Sequence, residues 1–195
     1  LPGPPCVRLR SMTGGFDGPA LAEVLGVSQR LGFIGARPVD EAIEHSRGVV
    51  GALVGVTGRI VDIGAGGGLP GLVVVHDRPD LHVTMIDRRL KRTDFLERMV
   101  RRHGLTDRVD VLGADAEHIV DECERGSRPR FDAGVARGFG PPAETLRIMG
   151  RLVRSGGRLI VTEPPDGDRW DPTVLEELGL DRQPDGVGVA VFQVR

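Results

Sequence analysis

The stretch that decides the fold is Val61-Asp62-Ile63-Gly64-Ala65-Gly66-Gly67-Gly68-Leu69-Pro70-Gly71. A short apolar run, typical of a buried strand, leads directly into a glycine-rich turn and then into a segment with helical spacing. Glycines in such a turn tolerate positive φ angles and let backbone N–H groups approach a ligand closely. The stretch therefore predicts the first strand-to-helix crossover of a nucleotide-binding α/β fold.

Downstream of this turn, short β-branched runs alternate with longer amphipathic segments. The predicted strands are Arg59–Ile63, His82–Ile86, Arg108–Leu112, Phe131–Ala136, Arg158–Thr162 and Val187–Val194. The predicted helices are Pro70–Asp77, Leu90–His103, Ala116–Arg125, Pro142–Val153 and Pro172–Leu178. Strands that alternate with helices form βαβ units. We therefore expect an α/β fold with a mostly parallel, doubly wound sheet and an antiparallel C-terminal strand.

The 195 residues are enough for one domain. Residues 1–18 are rich in proline and glycine and are predicted to form a loose N-terminal arm. Residues 19–57 show helical spacing interrupted by glycine and proline, which predicts a lead-in of two or three short helices. Residues 58–195 would form the α/β core, so that 19–195 make one domain.

Composition and charge exclude several classes of protein. The 26 basic and 28 acidic residues give a net charge of −2, which excludes a polycation that binds nucleic acid with its whole surface. Cys6 and Cys123 lie far apart, which predicts neither a disulfide framework nor a metal site and favours a reducing cytoplasm. Because no apolar run approaches the roughly 18 residues of a membrane-spanning helix, we expect no membrane partner.

Two ligand classes compete for the glycine turn. Gly66-x-Gly68-x-x-Gly71 matches the dinucleotide-binding fingerprint, in which a pyrophosphate lies on a helix N-terminus. The other template is an acid followed by alternating glycines, here Asp62, Gly64, Gly66 and Gly68. An acid at the end of the strand repels a pyrophosphate but suits a ligand that carries an ammonium and a sulfonium group. S-adenosylmethionine is such a ligand, and the electrostatics favour it.

Two further acids follow predicted strands. Asp87 lies 19 residues after Gly68, close to the offset of an acid that hydrogen-bonds ribose hydroxyls in such folds. Asp115 and Ala116 follow the third strand, where they could face an adenine ring. Either aspartate could instead cap the helix that follows it.

The segment from Arg88 to Arg108 is the basic patch of the chain, with eight basic residues against three acidic ones. Leu96, Met99, Val100 and His103 form one helical stripe that should face the sheet. This arrangement leaves Lys91, Arg98, Arg101 and Arg102 pointing outward. They could contact the phosphates of a polyanionic substrate, or they could form an ordinary solvated helix face.

From about Arg30 to Gly157 the chain resembles the glucose-inhibited division protein B family. These bacterial enzymes methylate N7 of a guanine in 16S ribosomal RNA. The resemblance rests on motifs in the order and spacing of the family: the glycine turn with its Leu69-Pro70-Gly71 ending, Arg78-Pro79-Asp80-Leu81, Val83-Thr84-Met85-Ile86-Asp87, Lys91-Arg92-x-x-Phe95-Leu96, Ala136-Arg137-Gly138-Phe139, and Arg37 with Asp40-Glu41-Ala42-Ile43-Glu44-His45 upstream. The chain departs from the family where Thr162-Glu163 replaces a Lys-Gly pair after the fifth strand.

This resemblance implies a Rossmann-like class I methyltransferase fold and S-adenosylmethionine as the cofactor. The cofactor-binding residues would be Asp62, Gly64, Ala65, Gly66, Leu69, Asp87, Asp115, Ala116 and Glu117. The substrate would be 16S ribosomal RNA or the 30S subunit, with Arg137 as the substrate-side candidate. The RNA-binding candidates are Arg88, Lys91, Arg92, Arg98 and Arg137.

Three other functions stay open at this point. A member of the same family could methylate a small molecule, a nicotinamide-dependent oxidoreductase could use the dinucleotide fingerprint, and a silent scaffold could bind a nucleotide without catalysis. Methyl transfer to guanine N7 needs no general base, because N7 offers a lone pair and carries no proton. Catalysis would come mainly from proximity and alignment. The sequence does not predict an oligomeric state.

Overall fold

The computed structural model describes residues 16–164 and 169–195. In these ranges the helices are α1 (Gly18–Arg30), α2 (Val39–Ala52), α3 (Gly71–Asp77), α4 (Leu90–Arg102), α5 (Ala116–Glu124), α6 (Pro142–Leu152) and α7 (Pro172–Glu177). The strands are β1 (Arg59–Ile63), β2 (His82–Ile86), β3 (Val109–Leu112), β4 (Phe131–Ala136), β5 (Val153–Thr162), β6 (Leu180–Gly186) and β7 (Val189–Val194).

All seven described strands form one sheet in the order β3-β2-β1-β4-β5-β7-β6. β1 lies in the middle of the parallel part, where Ile63 is opposite Ile86 of β2 on one side and Ala136 of β4 on the other. β7 runs antiparallel to β5, and β6 runs antiparallel to β7. The predicted α/β fold with a mostly parallel sheet is confirmed.

The C-terminal end of the sheet differs from the prediction in three respects. β6 was not predicted, because its sequence from Leu180 to Gly186 is polar and contains Pro184. Such a strand is tolerated here because β6 is the last strand of the sheet, and an edge strand need not donate every N–H. β5 begins at Val153 rather than Arg158. Gly156 and Gly157 favour a turn in sequence, but the strand continues through them with an irregularity in its pairing with β4. β7 begins at Val189, two residues later than predicted.

The predicted helical lead-in consists of α1 and α2. Asp17 caps α1 by accepting a hydrogen bond from the Ala20 N–H at 2.9 Å. Phe16 is buried and packs edge-on against the His103 ring, with the centroids 5.0 Å apart. Residues 1–15 of the predicted arm lie outside the described residues. Phe16, Asp17 and Gly18, which the sequence prediction assigned to that arm, pack with or begin α1.

Helices cover both faces of the sheet. Residues of α1 to α4 pack on one face in a core that includes Leu25, Val49 and Leu96. Residues of α5 to α7 pack on the other face with Val120, Leu146 and others. Strand residues alternate between the two cores, as expected for side chains that point to opposite faces of a sheet. The fold therefore has three layers, with the carboxyl ends of the parallel strands at one edge.

The turn between β6 and β7 packs directly on α2 at Gly48. A Cβ atom on Gly48 would lie 2.0 Å from the backbone oxygen of Val187, whereas a Cβ on Gly51 of the same helix would meet nothing within 4 Å. Gly48→Ala should therefore lower the free energy of unfolding by about 1–3 kcal/mol, because the turn must move away from the helix.

Gly51→Ala is the matched control. It should be neutral or raise the free energy of unfolding by about 0.5–1 kcal/mol, because alanine is the better helix former. Urea denaturation of both variants measures the difference. Equal stabilities of the two variants would contradict the close approach at Gly48.

Candidate active site

A cavity of about 420 Å³ lies at the carboxyl ends of β1, β2 and β4. The chain leaves β1 toward β2 on one side, and β4 joins β1 on the other, so this is the point where the strand order reverses. Open α/β sheets bind their ligands in the crevice at such a switch point. The position follows from topology alone, since the turns after neighbouring parallel strands meet at one edge.

Five of the predicted cofactor-binding residues line this cavity. They come from the turns after three different strands: Gly64, Asp87, Asp115, Ala116 and Glu117. Two predicted RNA-binding residues, Arg88 and Arg92, line it as well. The structure thus brings together residues that are up to 53 positions apart in the sequence.

The other predicted cofactor-binding residues lie behind the cavity wall. Asp62, Ala65 and Leu69 are buried, and the Ala65 N–H donates to the Ile86 carbonyl at 2.9 Å. Gly66 donates its N–H to Asp87 rather than presenting it to the cavity. These four residues shape the turn from inside, and the cavity lining does not include them.

Asp87 ties three segments together at the cavity. Its Oδ2 accepts a hydrogen bond from the Gly66 N–H at 2.9 Å, and its Oδ1 accepts one from the Arg89 N–H at 2.8 Å. Nη1 of Arg92 lies 3.5 Å from the same Oδ2. The carboxylate is therefore fixed at the start of α4 and also lines the cavity. The N-cap of α4 is Arg89, without a side-chain cap hydrogen bond, so Asp87 does not cap the first turn of this helix as the sequence allowed.

Asp115 likewise does two things. Its side chain accepts a hydrogen bond from the Glu117 N–H at 3.1 Å and so caps α5. The same residue lines the cavity. Glu117 is further held by Arg151, whose Nη1 lies 2.9 Å from its Oε2. The turn after β3 is thus anchored to α6 on the far side of the cavity.

Asp62 is fully buried beneath the glycine turn. Its Oδ2 accepts a hydrogen bond from the Gly71 N–H at 2.9 Å, while Oδ1 has no hydrogen-bond partner. Burial raises the pKa of Asp62 from 3.8 to about 8, and the nearby Asp87 adds to the rise. Asp62 is therefore protonated at neutral pH in the free protein. A cationic ligand group close to it would favour the ionised form instead.

The glycines of the turn serve different purposes. Gly64 and Gly66 have φ angles of 69° and 56°, which side-chain-bearing residues rarely adopt. Gly67 is required by packing, since a Cβ there would lie 2.1 Å from Oγ of Ser28 in α1. At Gly71 a Cβ would lie 2.5 Å from Oδ2 of Asp62. Of these four glycines only Gly64 lines the cavity, so most of them shape the turn rather than contact a ligand.

One part of the cavity wall was missed by the sequence reasoning. It is the turn after β4 and the start of α6, with Gly138, Phe139, Gly140, Pro141, Glu144 and Ile148. Phe139 lies against the glycine turn, because a Cβ on Gly64 would be 2.7 Å from its Cδ2. The available signal was topological: β4 pairs with β1, so the turn that follows β4 must meet the turn that follows β1.

The remaining predicted RNA-binding residues lie outside the cavity. Lys91 and Arg98 are exposed on α4, as predicted from the apolar stripe whose Leu96 and Val100 are buried. Arg137 follows β4 and is half-buried. Burial and the nearby Arg37 lower the pKa of Arg137, while Asp62 opposes that shift.

Within residues 16–164 and 169–195, no group of three or more His, Cys, Asp or Glu side chains could hold a metal ion. No helix in the described part of the chain is long and apolar enough to cross a membrane.

The fold is that of the Rossmann-like class I methyltransferases. A crystal structure described as a putative S-adenosyl-L-methionine-dependent methyltransferase from Methanococcus maripaludis superimposes with a TM-score of 0.59. The match covers 92% of this chain and 94% of that one, at 16% sequence identity. A likeness at this level of identity establishes the fold alone.

Sequence comparison identifies the family. The family model for GidB, the rRNA small subunit methyltransferase G, matches residues 21–163, and the chain belongs to this family. The ribosomal RNA small subunit methyltransferase G of Mycobacterium marinum is 35% identical over 154 residues, which are 76% of this chain and 65% of that protein. That of Mycobacterium avium is 36% identical over 146 residues, or 71% of this chain and 56% of that protein. The chain thus spans less than two thirds of the length of these relatives.

The buried Asp62 makes the stability of the protein depend on pH. The pKa of Asp62 is higher in the folded than in the unfolded protein, so its protonated form favours the folded state. Relative to an Asp62→Asn variant, this contribution to the free energy of unfolding is fully present below the unfolded pKa of about 3.9. It is lost as the pH rises toward the folded value of about 8. Linkage sets an upper limit of about 1.4 kcal/mol for each pH unit in this window.

Urea denaturation of both proteins from about pH 5 to about pH 9 measures this difference, because the asparagine side chain does not titrate in that range. The wild type should lose stability relative to Asp62→Asn as the pH rises. Parallel stability curves for the two proteins would show that Asp62 titrates normally.

Proposed function

We propose that this chain is an S-adenosylmethionine-dependent methyltransferase that methylates N7 of a guanine in small-subunit ribosomal RNA. The single observation that supports this most is the cavity at the switch point, bounded by the glycine turn and Asp87, in a chain of this family. The relatives are named for action on small-subunit ribosomal RNA, and we extend that substrate to this chain.

The residues present fit S-adenosylmethionine. Gly64 has no side chain at the cavity wall, and Asp87 there offers carboxylate oxygens to ribose hydroxyls. Ala116 leaves room for an adenine ring beside Asp115. The partnerless Oδ1 of Asp62, which lies under the glycine turn, suits an ammonium group nearby. When bound, the cofactor supplies a methyl group on a positively charged sulfur.

Arg137 would bind an anion at the same edge. It makes no hydrogen bond or ion pair with any residue in the described ranges, and burial without a counter-ion is costly for a guanidinium. Two anions of the proposed reaction fit this position: a phosphate of the RNA, as the sequence predicts, and the carboxylate of the cofactor.

The protein's contribution to the reaction would be alignment. Guanine N7 carries no proton, so no side chain has to act as a base. The turns after β1 and β4 would hold the acceptor base and the methyl donor in contact, and well-oriented reactants gain on the order of 7–11 kcal/mol from such positioning. Phe139, packed against Gly64 in the wall between these turns, would help to exclude water from that point.

The proposal is tested by methyl transfer to ribosomes. The protein is incubated with labelled S-adenosylmethionine and 30S subunits from a strain that lacks this methylation. Label should enter 16S RNA, and primer extension or mass spectrometry should place it on a guanine. If label enters a small molecule from a metabolite panel and not 16S RNA, the ribosomal assignment is wrong. If NAD binds tightly by calorimetry and S-adenosylmethionine does not, the cofactor is wrong as well.

Asp87 provides a test of the cofactor site. Asp87→Asn should weaken S-adenosylmethionine binding by about 1–3 kcal/mol, because the carboxylate charge that accepts the ribose hydroxyls is lost. Asp94→Asn is the matched control, since Asp94 is exposed on α4 outside the cavity lining and carries the same charge. Isothermal titration calorimetry measures both affinities. Unchanged affinity in Asp87→Asn, with a lowered melting temperature, would leave Asp87 with only its role at the start of α4.

A further inference from the structure

The basic side chains of this protein differ in whether a carboxylate neutralises them. On many surfaces arginines are paired closely: Arg128 with Glu122 at 2.7 Å, Arg151 with Glu124 at 2.8 Å, Arg154 with Asp132 at 2.8 Å and Arg195 with Glu176 at 2.7 Å. The side chains of Arg88, Arg89, Lys91 and Arg98 are exposed and make no ion pair or hydrogen bond with any residue in the described ranges. We call these four residues the free basic row.

The row is continuous with the cavity. Arg88 and Arg89 line the cavity mouth, just before α4 begins. On α4, Lys91 and Arg98 are seven residues apart, so they lie on the same side of the helix about 10 Å from each other. The row therefore leads from the cavity mouth along the outer side of α4.

The neighbouring basic residues are engaged differently. Arg92 points inward, where its Nη1 lies 3.5 Å from Oδ2 of Asp87, and its side chain is 22% exposed. Arg101 pairs with Glu97 at 3.3 Å, one turn away on the same helix. Arg92 therefore belongs to the cavity wall, and Arg101 has its own carboxylate partner.

We propose that the free basic row binds the phosphates of a single-stranded RNA segment whose base enters the cavity. This rests on the proposed function, and it specifies which residues dock the substrate. When exposed cationic side chains without carboxylate partners neutralise RNA phosphates, the counterions condensed on the RNA are released, which favours binding. Two of the four side chains border the cavity, and RNA bases are accessible to proteins mainly where the strand is unpaired. No aromatic residue belongs to the row, so its contacts are to the backbone and not to the bases.

The test compares two double variants that remove the same charge. Lys91→Gln with Arg98→Gln removes two members of the row. Arg101→Gln with Arg154→Gln removes two arginines that have carboxylate partners. Arg101 lies on α4, and Arg154 lies at the start of β5, at the end of the sheet away from the cavity. Fluorescence anisotropy with a labelled oligouridylate, without cofactor, gives the dissociation constant between about 50 and 200 mM salt. Circular dichroism melts check that both variants fold.

The row predicts a specific change in salt dependence. The slope of log K against log salt should fall by about 1.4 in the row variant, since each lost phosphate contact on a single strand contributes roughly 0.7. The control variant should keep the wild-type slope. Equal losses in both variants, or no salt dependence in the wild type, would overturn the proposal. Tighter row-dependent binding to phosphatidylserine vesicles than to RNA would also overturn it, because the row would then serve a membrane surface.

The same variants separate this proposal from the proposed function. If label enters 16S RNA equally well with the row variant and the control, the methyltransferase assignment stands and the row is wrong. If the row variant alone loses RNA binding but no protein transfers label to any RNA, the row stands as an RNA-binding surface and the methyltransferase assignment fails.

Discussion

The hydrogen bond from the Gly66 N–H to Asp87 is the interaction on which the site depends. It joins the turn after β1 to the end of β2, and the second oxygen of the same carboxylate holds the Arg89 N–H at the start of α4. Gly66 reaches this position with a φ angle of 56°. Without the carboxylate, the turn and the start of α4 would lose the acceptor that they share, and the Ala65 N–H bond to the Ile86 carbonyl would still join the turn to β2.

The charged groups of the site lie at two depths, beneath the glycine turn and around the cavity. Beneath the turn lies Asp62, a carboxyl whose raised pKa keeps it neutral in the free protein. Around the cavity mouth lie arginines, among which Arg92 is held by Asp87 while Arg88 and Arg89 are free. The cavity lining also carries four acidic residues, Asp87, Asp115, Glu117 and Glu144, beside the three arginines. Such a mixed lining suits a ligand that has both cationic and anionic groups.

Periodicity and topology account for how much the sequence could predict. The β-branched runs located β1 to β4 within one residue, and the parallel order then placed Gly64, Asp87 and Asp115 at one edge. What the sequence could not provide was contact between distant segments. Ala65, Gly66 and Leu69 are predicted to bind the cofactor and lie outside the cavity lining. A residue that contacts a ligand and one that only shapes the turn look alike in sequence. Phe139 ends the motif Ala136-Arg137-Gly138-Phe139 but was not assigned to the site, because its contact with the glycine turn follows from the pairing of β4 with β1. β6 was missed because its polar residues lie at an edge.

The packing of Gly67 on α1 gives the helical lead-in a role in the site itself. Ser28 is fully buried and donates a hydrogen bond from its Oγ to the Gly67 carbonyl at 2.8 Å, across 39 residues of sequence. The α/β core that starts near Gly58 contains every strand of the sheet, yet the shape of its glycine turn is set partly from outside it. The smallest unit that can carry the site therefore includes α1, and variation in that helix would be felt at the cavity although no residue of α1 lines it.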